Sequence, residues 1–253
     1  MPFTFSHPAA LAALWPLARR ERLPIAALAV GAMSPDFEFF LHLRPVALWS
    51  HTLAGLVGFC LPVGIAVFAV WEFVAREPVR ELLGFAPEPH RGHAPWTWWT
   101  RVAAGVLVGA GTHLLWDGVT HGDYWGANVW PGLRTTALTW GTLSVPWFNL
   151  LQHLSTIGGG LVVVVWLYKT VRAQGRVQSI LRAGWRRRAL ASIVIVAVLT
   201  GMLNGARGPF GADFWTAQRL LGRIAVGAML GGAVAVLGFA LQRRSAPTSA
   251  SAT

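Results

Sequence analysis

The sequence predicts an all-α, polytopic membrane protein with about five full spans behind a short-helix element at its N-terminus. Hydrophobic residues make up 54% of the 253 residues and charged residues only 12%, against roughly a quarter charged in a soluble domain. Several apolar runs are about 18 to 22 residues long, the length an α-helix needs to cross a bilayer core. Basic residues stand between these runs, as membrane topology requires.

The spans read as about 53–74, 102–120, 149–168, 189–206 and 219–241. Ahead of them, residues 8–18 and 24–34 form two short helical stretches joined by Arg19, Arg20, Glu21 and Arg22. Each is about 16 Å long at 1.5 Å per residue, too short to span alone. Together they make an antiparallel hairpin or a broken first span.

Arginine placement orients the chain. Arg76, Arg80, Arg91 and Arg101 lie in one connection; Lys169, Arg172, Arg176, Arg182 and Arg186 to Arg188 lie in another; Arg243 and Arg244 open the tail. A five-span alternation puts all three on one side, which the positive-inside rule makes cytoplasmic. The topology implies a multi-pass membrane protein with membrane lipids as its surrounding partners. The net charge of +11 is thereby explained by topology and anionic lipid, and nucleic acid is not expected as a partner.

Residues 1–244 read as one membrane domain, and the small, polar stretch 245–253 as a disordered tail. The N-terminal MPFTFSHPAALAALW has no basic segment before its apolar stretch, so a cleaved signal peptide is not expected. Cys60 is the single cysteine, which excludes an intrachain disulfide and a thiolate metal cluster. Gly105-x-x-x-Gly109 and Gly227-x-x-x-Gly231 are small-residue patterns that let helices approach closely.

The chemistry concentrates in the 102–120 span. His113 and Asp117 are four apart, so they share one helix face. Ionisable residues inside a span are costly and mark functional sites by default. Topology brings others to the same depth: His51 at the start of the 53–74 span, His121 at the exit of 102–120, and His153 one turn into 149–168. An antiparallel hairpin also joins its two ends, His7 and Asp36, on the side away from Arg19–Arg22. Simpler roles exist for each. His7 and Asp36 sit where helix caps occur, Ser50-His51-Thr52 reads as a capping cluster, and His113 with Asp117 forms a self-satisfied pair. His90-Arg-Gly-His93 has ligand-like spacing but lies in a Pro-rich connection, and reads as a solvated loop.

Imidazole with carboxylate and no thiolate suits zinc, iron or manganese. The expected metal set is His7, Asp36, His51, His113 and Asp117, binding a divalent transition metal, with zinc the first choice. That set serves one metal with outer support, or two. Asp117 and His121 are the expected catalytic groups. No Gly-x-Ser-x-Gly nucleophile elbow and no Walker-type phosphate loop are present.

At MPFTFSHPAA, GAMSPDFEFF, SHTLAGL and THLLWDGVTH the chain resembles a bacterial membrane-protein family, domain of unknown function 4184. The likeness covers most of residues 1–170 and fades across 171–253. The order His, Pro-Asp, His, then His-x-x-x-Asp is also similar to membrane-bound metal-dependent hydrolase-like proteins. A comparable His/Asp composition occurs in zinc-dependent phospholipase C. The hydrolase-like resemblance implies metal binding by His7, Asp36, His51, His113 and Asp117. The chain has Ser-His-Thr where that family has His-Arg-x-x-Thr-His, one histidine fewer.

Two functions follow as expectations. One is a metal-dependent hydrolase of a lipid or lipid-linked ester or phosphoester at the outer face. The other is a metal-stabilised or transporter-like membrane protein, since intramembrane His/Asp chains also serve transport.

Overall fold

The computed structural model describes residues 4–20, 22–86, 95–173, 183–208, 211 and 213–245. The His90/His93 pair and the tail beyond Ser245 lie outside them. Among the described residues, five helices are long and apolar enough to cross a membrane: α4 (Leu53–Leu82), α5 (Trp96–Thr120), α7 (Trp147–Ala173), α8 (Gly184–Gly205) and α9 (Phe214–Ser245). They fall where the sequence places its five spans. The N-terminal element comprises a 3-10 turn (Thr4–Ala10), α1 (Leu11–Arg20), α2 (Ile25–Met33) and the short α3 (Glu38–His42).

The chain divides into two compact units. One contains Met1–Phe68, His93–Leu167 and Ala212–Trp215; the other contains Ala69–Gly92, Tyr168–Gly211 and Thr216–Thr253. In the first, α2 lies against α5, and glycine sets how closely. A β-carbon on Gly31 would collide with the backbone of Val106, and one on Gly109 with the backbone of Leu28 and Ala32. Gly105 and Gly109 therefore serve the close approach that their spacing predicts, with α2 as the partner. The core beside this contact is Ala27, Phe68, Val102 and Val106.

In α4, two π-helical stretches, Leu56–Cys60 and Trp71–Ala75, contain the residues four before Pro62 and Pro78. Proline has no N–H to give those carbonyls and its ring crowds them, so the turn widens. Leu43 adopts a left-handed backbone, φ 51°, and ends α3. The chain then turns back to Thr52, whose hydroxyl accepts the Gly55 N–H at 2.9 Å and caps α4.

One element is absent from the sequence reading. Thr136–Trp140 and Leu143–Pro146 pair as an antiparallel hairpin, β1–β2. Its two-residue turn starts at Gly141, φ 59°, the glycine position of a type II′ turn. The strands, five and four residues long, are too short for a period-two pattern to stand out among the tryptophans around them.

In the second unit, α8 and α9 meet through Gly227 and Gly231, which face Thr200 and Asn204. The Asn204 amide donates to the Arg223 carbonyl at 2.7 Å. Arg243 pairs with Glu81 and lies over the Trp185 ring, 4.7 Å from its centroid.

The α2–α5 approach yields a test. Gly31→Val is expected to lower stability by about 1–3 kcal/mol through overpacking, read as an earlier thermal transition in detergent. Gly111→Ala, where an added β-carbon meets nothing within 4 Å, is expected to leave the transition in place.

Candidate metal centre

Four ligand atoms converge from three separate segments. Asp36 follows α2, His51 precedes α4, and His113 and Asp117 lie one turn apart on α5. Their potential ligand atoms all lie within 4.8 Å of one another. His113 Nε2 is 3.3 Å from His51 Nε2, 3.3 Å from Asp117 Oδ2 and 3.4 Å from Asp36 Oδ1. His51 Nε2 is 3.3 Å from Asp117 Oδ2 and 3.5 Å from Asp36 Oδ1. Atoms bound at ~2.0–2.2 Å to one tetrahedral ion stand roughly 3.3–3.6 Å apart. Five of the six edges have that length.

Hydrogen-bond accounting points the same way. Asp36, His113 and Asp117 are fully buried. His113 Nδ1 is 2.7 Å from the Ala32 carbonyl. A carbonyl only accepts, so Nδ1 carries a proton, and in the neutral ring Nε2 then offers its lone pair to the cluster. Asp36 Oδ2 accepts the Thr4 hydroxyl at 2.6 Å, while Asp36 Oδ1 and both oxygens of Asp117 have no hydrogen-bond partner. Buried carboxylate oxygens left bare are expensive. A cation among them would supply the missing partner, and the cluster has the donor types and spacing to hold one.

His7 stands beside the four. Its ring stacks on His113 with centroids 3.6 Å apart, and its Nε2 lies 3.6 Å from Asp117 Oδ1. That nitrogen has no hydrogen-bond partner either. His7, grouped with the ligands on sequence, lies against Asp117 and His113, next to the four atoms that fall within 4.8 Å of one another. His121 caps α5, with Nδ1 3.0 Å from the Asp117 carbonyl and 3.9 Å from Asp117 Oδ2. Its Nε2 is buried without a partner, and burial lowers the basicity of the ring. His153 lies elsewhere, edge-on to Phe214 with centroids 6.1 Å apart. His42 is half-buried, 3.5 Å from Glu38.

Sequence reasoning missed the groups that hold these ligands. Thr4 and the Ala32 carbonyl fix Asp36 and His113, as outer partners of metal ligands do. The Ser50 hydroxyl sits 3.0 Å from His51 Nδ1. Glu38 is the least expected. Its carboxylate accepts the backbone N–H groups of Leu48, Trp49 and Ser50 at 3.0, 3.2 and 2.8 Å. It thereby pins the loop that delivers His51. Burial pushes the Glu38 carboxyl up, but the Ser50, Leu48 and Trp49 donors outweigh it and hold the group down at about 2. Glu38 lies two residues after Asp36, and only the fold reveals that its partners are backbone amides a dozen residues on.

The signature of one family, described as a domain of unknown function (DUF4184), matches residues 1–241. The chain belongs to that family. No curated protein and no solved structure matches it. The DUF4184 match runs well past residue 170, where the recognisable motifs stop, so the last two spans belong to the family's common architecture.

Two outcomes follow. Thr4→Val and Ser50→Ala are each expected to weaken zinc affinity by roughly 10–100-fold, measured by chelator competition. Glu38→Gln is expected to cost about 1.5–3 kcal/mol of stability, the range for hydrogen bonds to a charged group. Because the folded pKa is depressed, this contribution is complete above about pH 4.5 and disappears as pH falls towards about 2. The gap between wild type and Glu38→Gln in pH-dependent unfolding should close over that window.

Proposed function

We propose that the protein is a metal-dependent membrane hydrolase acting on a lipid or lipid-linked ester or phosphoester. Asp36, His51, His113 and Asp117 hold one divalent transition metal, zinc by donor type, near the outer face of a bacterial inner membrane. The observation that carries this reading is the set of four ligand atoms within 4.8 Å of one another, five of whose six separations suit a tetrahedral ion, with two of the four being carboxylate oxygens without hydrogen-bond donors. Zinc held there would act as a Lewis acid and, by expanding its coordination beyond the four protein ligands, would activate a water.

The chain's own residues supply the rest. Asp36 and Asp117 balance the charge of a divalent ion, while the Ala32 carbonyl and Ser50 orient the two imidazoles. His7 brings an Nε2 without a hydrogen-bond partner to 3.6 Å from Asp117 Oδ1, and His121, whose Nδ1 lies 3.9 Å from Asp117 Oδ2, keeps a buried Nε2 without a partner. They are the groups placed to accept a proton from water and return it to a leaving oxygen. The similarity to membrane-bound metal-dependent hydrolase-like proteins, in the order of these His and Asp residues, supports the same chemistry.

A second reading has its own observation. Four protein ligands around one tetrahedral ion leave no free position, which is the pattern of structural sites. On that reading the metal staples α2, α4 and α5 together, and the protein is not an enzyme or is transporter-like.

Purified protein is expected to carry about one zinc ion per chain by elemental analysis, lost in His113→Ala and Asp117→Ala. The hydrolase reading expects turnover of phospholipid or fatty-acyl ester substrates that falls at least about 100-fold in His121→Ala or His7→Ala, with zinc retained. Zinc retained without turnover of any such substrate leaves the structural reading standing, and a metal-free, chelator-indifferent protein sinks both.

A further inference from the structure

An apolar hollow of about 710 Å³ opens beside the cluster, walled by the N-terminal turn, α5, α6 (Trp125–Val129) and α7. Leu115, Trp116, Trp125, Trp130 and Val162 give it its hydrocarbon surface. A second hollow of about 400 Å³, lined by α1, α2 and α7, shares Ala9 and Val162 with it. The two adjoin at Ala9 and Val162, so that their linings together follow α7 as a groove from Ser155 to Trp166, about 16 Å at 1.5 Å per residue. Volumes of roughly 300–1,000 Å³ are those of small-molecule sites.

The polar groups on its wall are few and mostly committed. The Ser6, Thr112 and Ser155 hydroxyls donate to the carbonyls of Thr156, Gly109 and Gln152. His7 is the exception. It lines the groove, is buried, has an Nε2 without a hydrogen-bond partner, and lies 3.6 Å from Asp117 Oδ1. One end of a long apolar groove therefore meets the cation cluster through a single histidine, and its rim carries the half-exposed indoles of Trp116, Trp125 and Trp130.

We propose that this groove takes one acyl chain of a bilayer phospholipid, with the lipid's phosphate at the His7 end. This rests on the reading of the cluster as a cation site. Charge and shape select the occupant together: a cation with an adjoining imidazole attracts an anionic head, and the wall beyond offers only dispersion contacts. A water-soluble ester would leave the groove unfilled. A phospholipid reaches it sideways from the membrane without leaving the bilayer, its chain lying along α7 and its head group stopping at Asp117. The inference narrows the substrate of the proposed hydrolase to a phospholipid and gives the direction from which it arrives.

The test uses full-length protein in nanodiscs containing phosphatidylglycerol with a diazirine on one acyl chain. Photolabelling is expected to concentrate on Leu115, Trp116 and Val162. Leu115→Trp and Val162→Trp, which fill the groove from opposite walls, should each cut that labelling about tenfold or more. Val164→Trp, on a half-exposed position of α7 outside the groove, should not, and zinc content should stay unchanged in all three. Two independent walls protect the test against one variant failing to fold. Label spread evenly over the exposed faces of α5 and α7, indifferent to both groove variants, overturns the proposal. Groove-confined label in a preparation without metal upholds the chain site and removes the metal reading alone.

Discussion

Two aspartates in a fully buried place, with three of their four oxygens lacking hydrogen-bond donors, set the conditions for everything around them. Carboxylates do not survive such burial ionised unless opposite charge or donors reach them. Thr4 satisfies one oxygen of Asp36, and the remaining oxygens face the Nε2 atoms of His51 and His113, with His7 beside Asp117. His113 has already committed its proton-bearing nitrogen to the Ala32 carbonyl. With neutral rings, the Nε2 atoms and the carboxylate oxygens present lone pairs to a common centre. A divalent cation at that centre balances both carboxylates at once.

Holding that centre explains several otherwise unrelated features of the fold. Gly31 and Gly109 let α2 and α5 touch through backbone, which places Ala32 within reach of His113. Glu38 gathers three amides of the loop before α4 so that Ser50 and His51 arrive at a fixed height. The short α1 and α2 fold back on themselves, which returns Thr4 and His7 to the neighbourhood of Asp36. A full-length first span would carry those ends to opposite faces of the membrane.

The immediate surroundings decide what such a centre can do. Four protein ligands favour a held ion, while His7 and His121 bring further ring nitrogens to the same carboxylate, and His7 also borders the apolar groove. A purely structural staple has no use for a buried histidine that separates it from a lipid-sized hollow. The proposed chemistry on membrane lipids rests on that juxtaposition more than on ligand identity.

Length and hydropathy alone determined five spans, because crossing a bilayer demands long apolar helices and leaves little freedom in where they sit. The i,i+4 spacing of His113 and Asp117 exposed the centre, since ionisable residues stand out in an apolar run. The hairpin argument also brought His7 and Asp36 to one end, because an antiparallel turn fixes which termini meet. Tertiary structure decided the rest. It separated four convergent ligands from His7, turned His153 to Phe214, and gave Glu38 and Thr4 their supporting roles. It also revealed the β1–β2 hairpin and the groove beside His7. Periodicity reports which face a residue occupies, but ångström-scale distances, hydrogen-bond partners and concavity arise only when separate segments pack.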